Sequence, residues 1–451
     1  MLGAEATAPS ARIAFADFTD AKTHPAPVRS LYIHIPFCAH KCHYCDFYSF
    51  VDKFDQQEAF AARLIDELAA LAPLSRNAGG ARVPLRTIFI GGGTPSLLRV
   101  HLWERVLRAL DQVFDLSLIR AESRPAHLRA PAPLLIDSAP QAEFTIECNP
   151  ESASGELFAL WRSFGVGRVS LGAQSFEHHH LATLERRHNP ENVSRALDLA
   201  RAAGIARQSI DLIYAVPGQT LAEWERDLRR AVALGTEHIS CYNLTYEPTT
   251  ALTARRDAGT VTPIEDDLEA DMFELAASIL SAAGLARYEV SNYARPGRES
   301  RHNLAYWWQE QWLAAGPSAS GHIWSTAASA GSTWRPGHRW KNRPALGQYL
   351  DFSDAGLAPI TQHELPDARR AVREGLMTAM RLRDGVDHAA ACAAAEHVSP
   401  GSAARLEREA ANLISDELLL SSNGRWRVSP RGWLMADFIA KRLMSCVHDV
   451  P

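Results

Sequence analysis

Three cysteines carry the first chemical signal: Cys38, Cys42 and Cys45, within Phe37-Cys38-Ala39-His40-Lys41-Cys42-His43-Tyr44-Cys45. The C-x3-C-x2-C spacing suits three uses. Positions i, i+4 and i+7 share one face of a helix, so the thiols could simply be packed in a core. Pro36 upstream and the polar His40, Lys41 and His43 between them speak against that. A structural zinc site of Cys3His type is the second use, with His34, His40 or His43 as fourth ligand. Such sites usually come as two separated pairs, and no second cysteine pair is present. An iron–sulfur cluster is the third. A cubane normally takes four thiolates, but Cys148, Cys241, Cys392 and Cys446 are single and distant. Three ligands would leave one iron open to an external ligand, which is what chemistry at a cluster requires.

A second set of candidates ends a series of short apolar runs. Gly91-Gly92-Gly93-Thr94-Pro95-Ser96 follows Thr87–Ile90. Glycine lets a backbone approach a ligand closely or adopt positive φ. Thr94 before Pro95 reads as a helix N-cap with proline at the first helical position. No Gly-Lys-Ser/Thr follows, so this is not a phosphate loop. Later runs deliver Glu147, Gln174 and Asp211, and the sixth leads through Asn243 to Thr245. One polar group at a strand end is ordinarily a cap or a bonded core residue. Several in succession point to one shared rim. The triple His178-His179-His180 opens a helical pattern, where consecutive residues point in different directions, and is read as solvent-exposed.

The elements that must position these groups alternate regularly. Strand-like runs at Leu31–Ile35, Thr87–Ile90, Phe144–Glu147, Arg168–Leu171, Ile210–Tyr214 and His238–Tyr242 are each followed by a helical pattern. The helices fall near Phe54–Leu71, Leu97–Phe114, Glu156–Phe164, Glu191–Ala203, Leu221–Leu234 and Asp267–Ala283. Near-continuous apolar strands between helices mean a parallel sheet covered by helices. Six units predict an α/β fold, a partial (βα)6 TIM-type barrel over 29–285, whose active site belongs at the C-terminal ends of the strands. Residues 1–28 read as a loose arm, and the proline-rich 117–142 as a surface insertion. Residues 286–365 crowd tryptophans among Gly and Ser and read as a packed non-helical segment covering an opening. Residues 366–451 read as mostly helical and winged-helix-like: Ala368–Arg381, Ser402–Leu420, a Gly424 turn, a strand at Arg425–Val428 and a helix from Pro430.

Composition narrows the classes. The 451 residues suit two to three domains or one large barrel with an addition. A net charge of −5 disfavours nucleic acid as a partner, and the C-terminal module is read as packing against its neighbour. Seven cysteines in so long a chain do not form a secreted disulfide framework. The N-terminal residues lack an apolar secretion signal and no run is long enough to span a membrane, so a cytoplasmic location is expected.

Taken together, these motifs resemble the radical S-adenosylmethionine (SAM) superfamily, and the resemblance runs from residue 29 to the C-terminus. It implies that Cys38, Cys42 and Cys45 hold a [4Fe–4S] cluster whose open iron is chelated by the amino and carboxylate groups of SAM. It also implies SAM contacts at Tyr32, Tyr44, Gly92, Gly93, Thr94, Glu147, Gln174, Arg186, Asp211 and Thr245. Arg187 stands beside Arg186 as the alternative in that role. Carboxylates suit ribose hydroxyls and the SAM ammonium, and an arginine suits its carboxylate.

The resemblance narrows to the oxygen-independent coproporphyrinogen oxidase family and, within it, to the heme chaperone branch, HemW. The oxidase branch carries C-x3-C-x2-C-x-C; here Phe47 stands at the last position, in Cys45-Asp46-Phe47. His302-Asn303-Leu304-Ala305-Tyr306-Trp307 resembles the H-N-x-x-Y-W motif of the chaperone branch. His302 is then either a heme ligand or a residue fastening its loop to the barrel. Relatives often show Gly-Pro-Ser-Ala-His; the chain has Gly316-Pro317-Ser318-Ala319-Ser320-Gly321-His322, which leaves Ser320 at the histidine position and His322 as a substitute. The branch implies heme as cargo and an acceptor protein, with respiratory, membrane-associated proteins as candidates, and no coproporphyrinogen oxidase activity. The alternative is the oxidase itself, decarboxylating coproporphyrinogen propionates. A zinc-stapled nucleic-acid binder is a third, more distant reading.

Overall fold

The computed structural model describes residues 26–51, 53–122, 142–325, 334–351 and 355–448. The arm expected over 1–28 lies outside these residues except for 26–28. So does most of the 117–142 insertion, of which Ser117–Glu122 forms a short helix.

Six parallel strands appear where the apolar runs place them: β1 (Ser30–Ile35), β2 (Thr87–Gly92), β3 (Glu143–Cys148), β4 (Arg168–Gln174), β5 (Arg207–Tyr214) and β6 (His238–Asn243). They pair in sequence order, as successive βα units require. One face of each is apolar and packs under the covering helices. Ile33, Ile88, Ile90, Ile146, Leu171, Ile210 and Ile239 are fully buried there. The covering helices Gln57–Leu71, Val100–Val113, Gly155–Ser163, Glu191–Ala202, Leu221–Ala233 and Asp266–Ala282 lie within one or two residues of their apolar periodicity, after a 3-10 turn in the first case and a late start in the second. Thr220 and Glu223 start the fifth with a reciprocal capping box.

The inward face is polar, and this sets the fold apart from a filled barrel. At the N-terminal end of the strands, Glu143 is buried against Arg168 (3.6 Å) and Arg207 (3.4 Å). The same carboxylate accepts the backbone N–H groups of Arg301 (3.2 Å) and His302 (3.5 Å). It thereby anchors the start of helix Arg301–Trp307, whose free N–H groups and dipole favour an anion. The arginines and these donors outweigh burial and hold Glu143 below the usual carboxylate range.

The segment 286–365 departs from the expectation of a non-helical cover. It contains helices Arg301–Trp307 and Leu346–Asp351, and it adds strands to the main sheet. β7 (Ala286–Arg287) and β8 (Asn292–Ala294) extend it antiparallel beyond β6, and β9 (Leu313–Ala315) extends it parallel beyond β1. The order is β7-β8-β6-β5-β4-β3-β2-β1-β9, and no pairing among the described residues joins the two edges. Among the described residues the sheet is thus open, as a partial barrel requires. The remaining strands, β10 (Ser320–Trp324), β11 (Gly337–Asn342) and β12 (Ile360–Glu364), form a separate antiparallel sheet. Buried Glu67 ties this region to the first helix, accepting from Gly316 N, Asn342 Nδ2 and Tyr349 Oη at 2.8, 3.0 and 2.8 Å.

The C-terminal region has its own apolar core, built from helices Ala368–Ala379, His388–Val398, Ser402–Ser415 and Ala436–Ser445. A small sheet of β13 (Val386–Asp387), β14 (Leu419–Ser422) and β15 (Arg425–Val428) completes it. The helix expected to reach Leu420 stops at Ser415; Glu417 then takes a positive φ and the chain turns into β14. Trp334 packs into this core against Gly375, where any Cβ would meet its indole at 2.2 Å. No helix among the described residues is long and apolar enough to cross a membrane.

Candidate cofactor site

A cavity of about 580 Å³ opens at the C-terminal ends of the strands, within the range of small-molecule and cofactor sites. Cys38, Cys42 and Cys45 line it, with Tyr44, Gly92, Gly93, Thr94, Glu147, Gln174, Arg186, Asp211 and Thr245. The topology thus gathers residues spread over more than two hundred positions.

The cysteine loop leaves β1 and is closed at its base by Phe50 N to Pro36 O (2.7 Å) and Cys38 N to Phe50 O (2.9 Å). It is strapped outside by Glu185, which meets His40 Nε2 at 2.6 Å and His43 Nε2 at 3.6 Å. All three thiols are free, and burial pushes the Cys45 thiol up to about 11. A bound metal would have to displace that proton. The Cys3His alternative finds its histidines engaged: His40 and His43 with Glu185, and His34 with Tyr48 O (2.7 Å) and Tyr32 Oη (3.1 Å).

The glycine run packs directly onto this loop. Gly93 N donates to Ile35 O (2.8 Å) and Thr94 N to Phe37 O (2.7 Å). A Cβ at Gly93 would sit 2.7 Å from Phe37 O, and one at Gly91 2.7 Å from the Glu147 carboxylate. Close approach, as glycine permits, is therefore what the run provides. Thr94 does not act as the expected cap: the turn Pro95–Leu97 has no side-chain cap bond, and Thr94 Oγ1 lies 3.6 Å from Cys38 Sγ.

Two carboxylates face the cavity from neighbouring strands. Asp211 accepts from Ser240 Oγ (2.7 Å) and from Ser170 Oγ (3.0 and 3.2 Å). Burial still raises its pKa against those bonds. Glu147 accepts from Gly92 N (3.2 Å); burial first, then the Asp211 charge, push it up to about 8. No ion pair to either carboxylate occurs among the described residues; the cations lining the cavity, Lys41, Arg186 and Arg187, come from other segments of its wall. On the opposite wall Arg186 donates to Gly172 O (2.8 Å) and reaches Cys42 Sγ (3.8 Å). Its Nε and the Oδ1 of Asn243, both buried, have no hydrogen-bond partner among the described residues. Arg187 also lines the cavity, but Arg186 makes these contacts. Gln174 sits at φ 63°, a left-handed conformation that costs energy outside glycine and often marks a functional site.

The donor set fits the groups that the sequence resemblance implies. Three thiols suit an iron–sulfur cluster with one open iron. Two carboxylates without an ion-pair partner among the described residues, with an arginine opposite, suit a zwitterionic ligand that also bears a positive sulfonium. Two expected contacts lie elsewhere. Tyr32 is below the cavity, packed on Phe89 with its hydroxyl on His34. His302 is buried at the other end of the barrel, Nδ1 on Thr87 Oγ1 (2.8 Å) and Nε2 on Tyr306 Oη (2.7 Å). Both ring nitrogens are thus used in fastening, and burial lowers its pKa to about 3.

Ser170 and Ser240, which hold Asp211, escaped the sequence reading, as did Glu185. The serines had a signal. Ser170, Ser209 and Ser240 recur on the same face of consecutive strands as Asp211, and the parallel register pairs Ser170 with Ser209 and Ser240 with Asp211 itself.

Comparison with known proteins agrees with this geometry. Residues 32–231 match the radical SAM superfamily model, and 367–435 match the HemN C-terminal domain model. The heme chaperone HemW of Mycobacterium tuberculosis is 35% identical over 422 residues, covering 93% of this chain and 96% of the relative. The heme chaperone HemW of Escherichia coli is 37% identical over 298 residues, covering 66% and 71%. Among solved structures, the radical SAM enzyme coproporphyrinogen III oxidase (HemN) of Escherichia coli aligns with a TM-score of 0.74 at 21% identity, over 94% of this chain and 92% of that one. That likeness establishes a shared fold. With 35% identity maintained over nearly the full length of a relative, the chain belongs to the HemW family of the radical SAM superfamily.

Proposed function

We propose that this chain is a cytoplasmic heme chaperone: it binds heme, a [4Fe–4S] cluster and SAM, and passes heme to an acceptor protein. The observation that carries the reading is the near full-length match to relatives named heme chaperone. Phe47 supports it. This side chain is 62% exposed at the mouth of the cavity, where the oxidase pattern calls for a further cysteine.

In this reading Cys38, Cys42 and Cys45 hold the cluster. Glu147 and Asp211 face the positive groups and ribose of SAM, Arg186 its carboxylate, and Gly92, Gly93 and Thr94 its amino-acid end. Tyr44, Gln174 and Thr245 complete the wall. A cluster with SAM on its open iron supplies reductive cleavage chemistry when electrons are provided. The chain's own contribution is to orient the ligand: two serines fix the Asp211 carboxylate, and Glu185 fixes the cysteine loop. Tyr32 supports this shell from beneath through His34. His302 acts by fastening Arg301–Trp307 to the barrel, and heme ligation falls to other residues.

The shared fold with the oxidase favours a second reading, an oxygen-independent coproporphyrinogen III oxidase. One assay separates the two. Cluster-loaded protein given coproporphyrinogen III, SAM and a low-potential reductant under anaerobic conditions is expected to form no protoporphyrinogen. Steady formation at a catalytic rate would replace the chaperone reading with the oxidase.

A further inference from the structure

The histidine triple after β4 is not uniformly exposed. His178 and His179 face solvent, but His180 is 1% exposed, and neither of its ring nitrogens has a hydrogen-bond partner among the described residues. A buried imidazole whose Nδ1 has no partner and whose Nε2 meets only a carboxylate, without a well-formed hydrogen bond, calls for an explanation. Its Nε2 faces Glu223 Oε2 at 3.4 Å, and His179 Nε2 faces Glu223 Oε1 at 3.2 Å. The ligand atoms of His179, His180 and Glu223 all lie within 4.8 Å of one another.

We propose that His179, His180 and Glu223 form a binding site for one divalent transition-metal ion of the zinc class. The chemistry of the set is that of a His2Glu site, which leaves a position for water. The spacing fits as well. Bonds of about 2.0–2.1 Å to a tetrahedral ion put ligand atoms roughly 3.3 Å apart, and each imidazole Nε2 lies near that distance from one oxygen of the carboxylate, 3.2 Å to Oε1 for His179 and 3.4 Å to Oε2 for His180. The carboxylate is oriented from behind by Thr220, whose N–H and hydroxyl both donate to Oε2 at 2.8 Å. Such outer bonds are a regular part of metal sites. The nearest competing cation, Arg226, is turned to Glu177 at 3.0 Å and reaches Glu223 only at 3.9 Å. An ion here would clamp the short helix His178–Thr183 to the start of Leu221–Ala233. That short helix leads directly to Glu185 and Arg186 at the cofactor cavity.

The test uses full-length, cluster-loaded protein stripped of loosely held metal and titrated with zinc against a chromophoric chelator. One zinc per chain is expected, with only nitrogen and oxygen neighbours in its X-ray absorption spectrum. His179→Ala, at an exposed position, is expected to weaken binding at least tenfold while iron content stays unchanged. Glu223→Gln, which keeps a capping oxygen, is expected to do the same. Absence of competitive zinc binding in the wild-type protein overturns the proposal. So does unchanged affinity in both variants. Sulfur neighbours would also overturn it, moving the ion to the cysteine loop or to the His388–Cys392–Glu407 group.

Discussion

Asp211→Asn tests the cavity most cleanly because the substitution keeps shape and removes charge. In the wild-type protein the hydroxyls of Ser170, shared between both oxygens, and Ser240 donate to the carboxylate without neutralising it. The asparagine keeps one oxygen to accept, and a serine hydroxyl can rotate to accept from its amide, so the fold should lose little. What disappears is a charged acceptor for SAM. A hydrogen bond to a charged group contributes about 1.5–3 kcal/mol, which predicts roughly 10- to 150-fold weaker SAM binding. Anaerobic equilibrium dialysis of SAM, with iron and sulfide measured on the same samples, gives the answer. Affinity within twofold of wild type at full cluster content would show that Asp211 serves the sheet rather than the ligand.

Three further outcomes are expected. Cys42→Ser should lose the cluster, because two thiolates cannot hold a cubane, whereas serine at Cys148, Cys241, Cys392 or Cys446 should leave iron content unchanged; iron analysis after reconstitution decides. Glu147 is protonated in the folded, SAM-free chain up to about 8, against an ordinary value of 4.5. The folded state therefore holds the extra proton between these values, so stability should fall as pH rises through that window. Urea unfolding at pH 6 and 8 should show that slope flattened in Glu147→Gln, and equal slopes would contradict the assignment. Glu143→Gln leaves Arg168 and Arg207 buried without their counter-charge, a loss of about 3–5 kcal/mol; an unshifted denaturation midpoint would contradict the role given to this ion cluster.

The six parallel strands were legible because each carries branched apolar residues that the covering helices bury, and the cysteine loop because its spacing is a chemical statement in itself. What the sequence hid depends on partners far along the chain. Helix Arg301–Trp307 begins on the Glu143 carboxylate, a tertiary cap invisible to local patterns. β9 is three residues, Leu313–Ala315, made a strand by the exposed edge of β1. His388–Val398 was passed over because its alanines leave little contrast between faces. The position of Thr94 against Cys38 and the burial of His180 follow from packing, which spacing alone does not convey.

The central claim, that this protein carries heme, is tested most directly by anaerobic titration of the cluster-loaded protein with heme, followed at the Soret band. The chaperone reading predicts saturable binding near one heme per chain with a shifted Soret maximum. A linear, unsaturating response indistinguishable from free heme would contradict it.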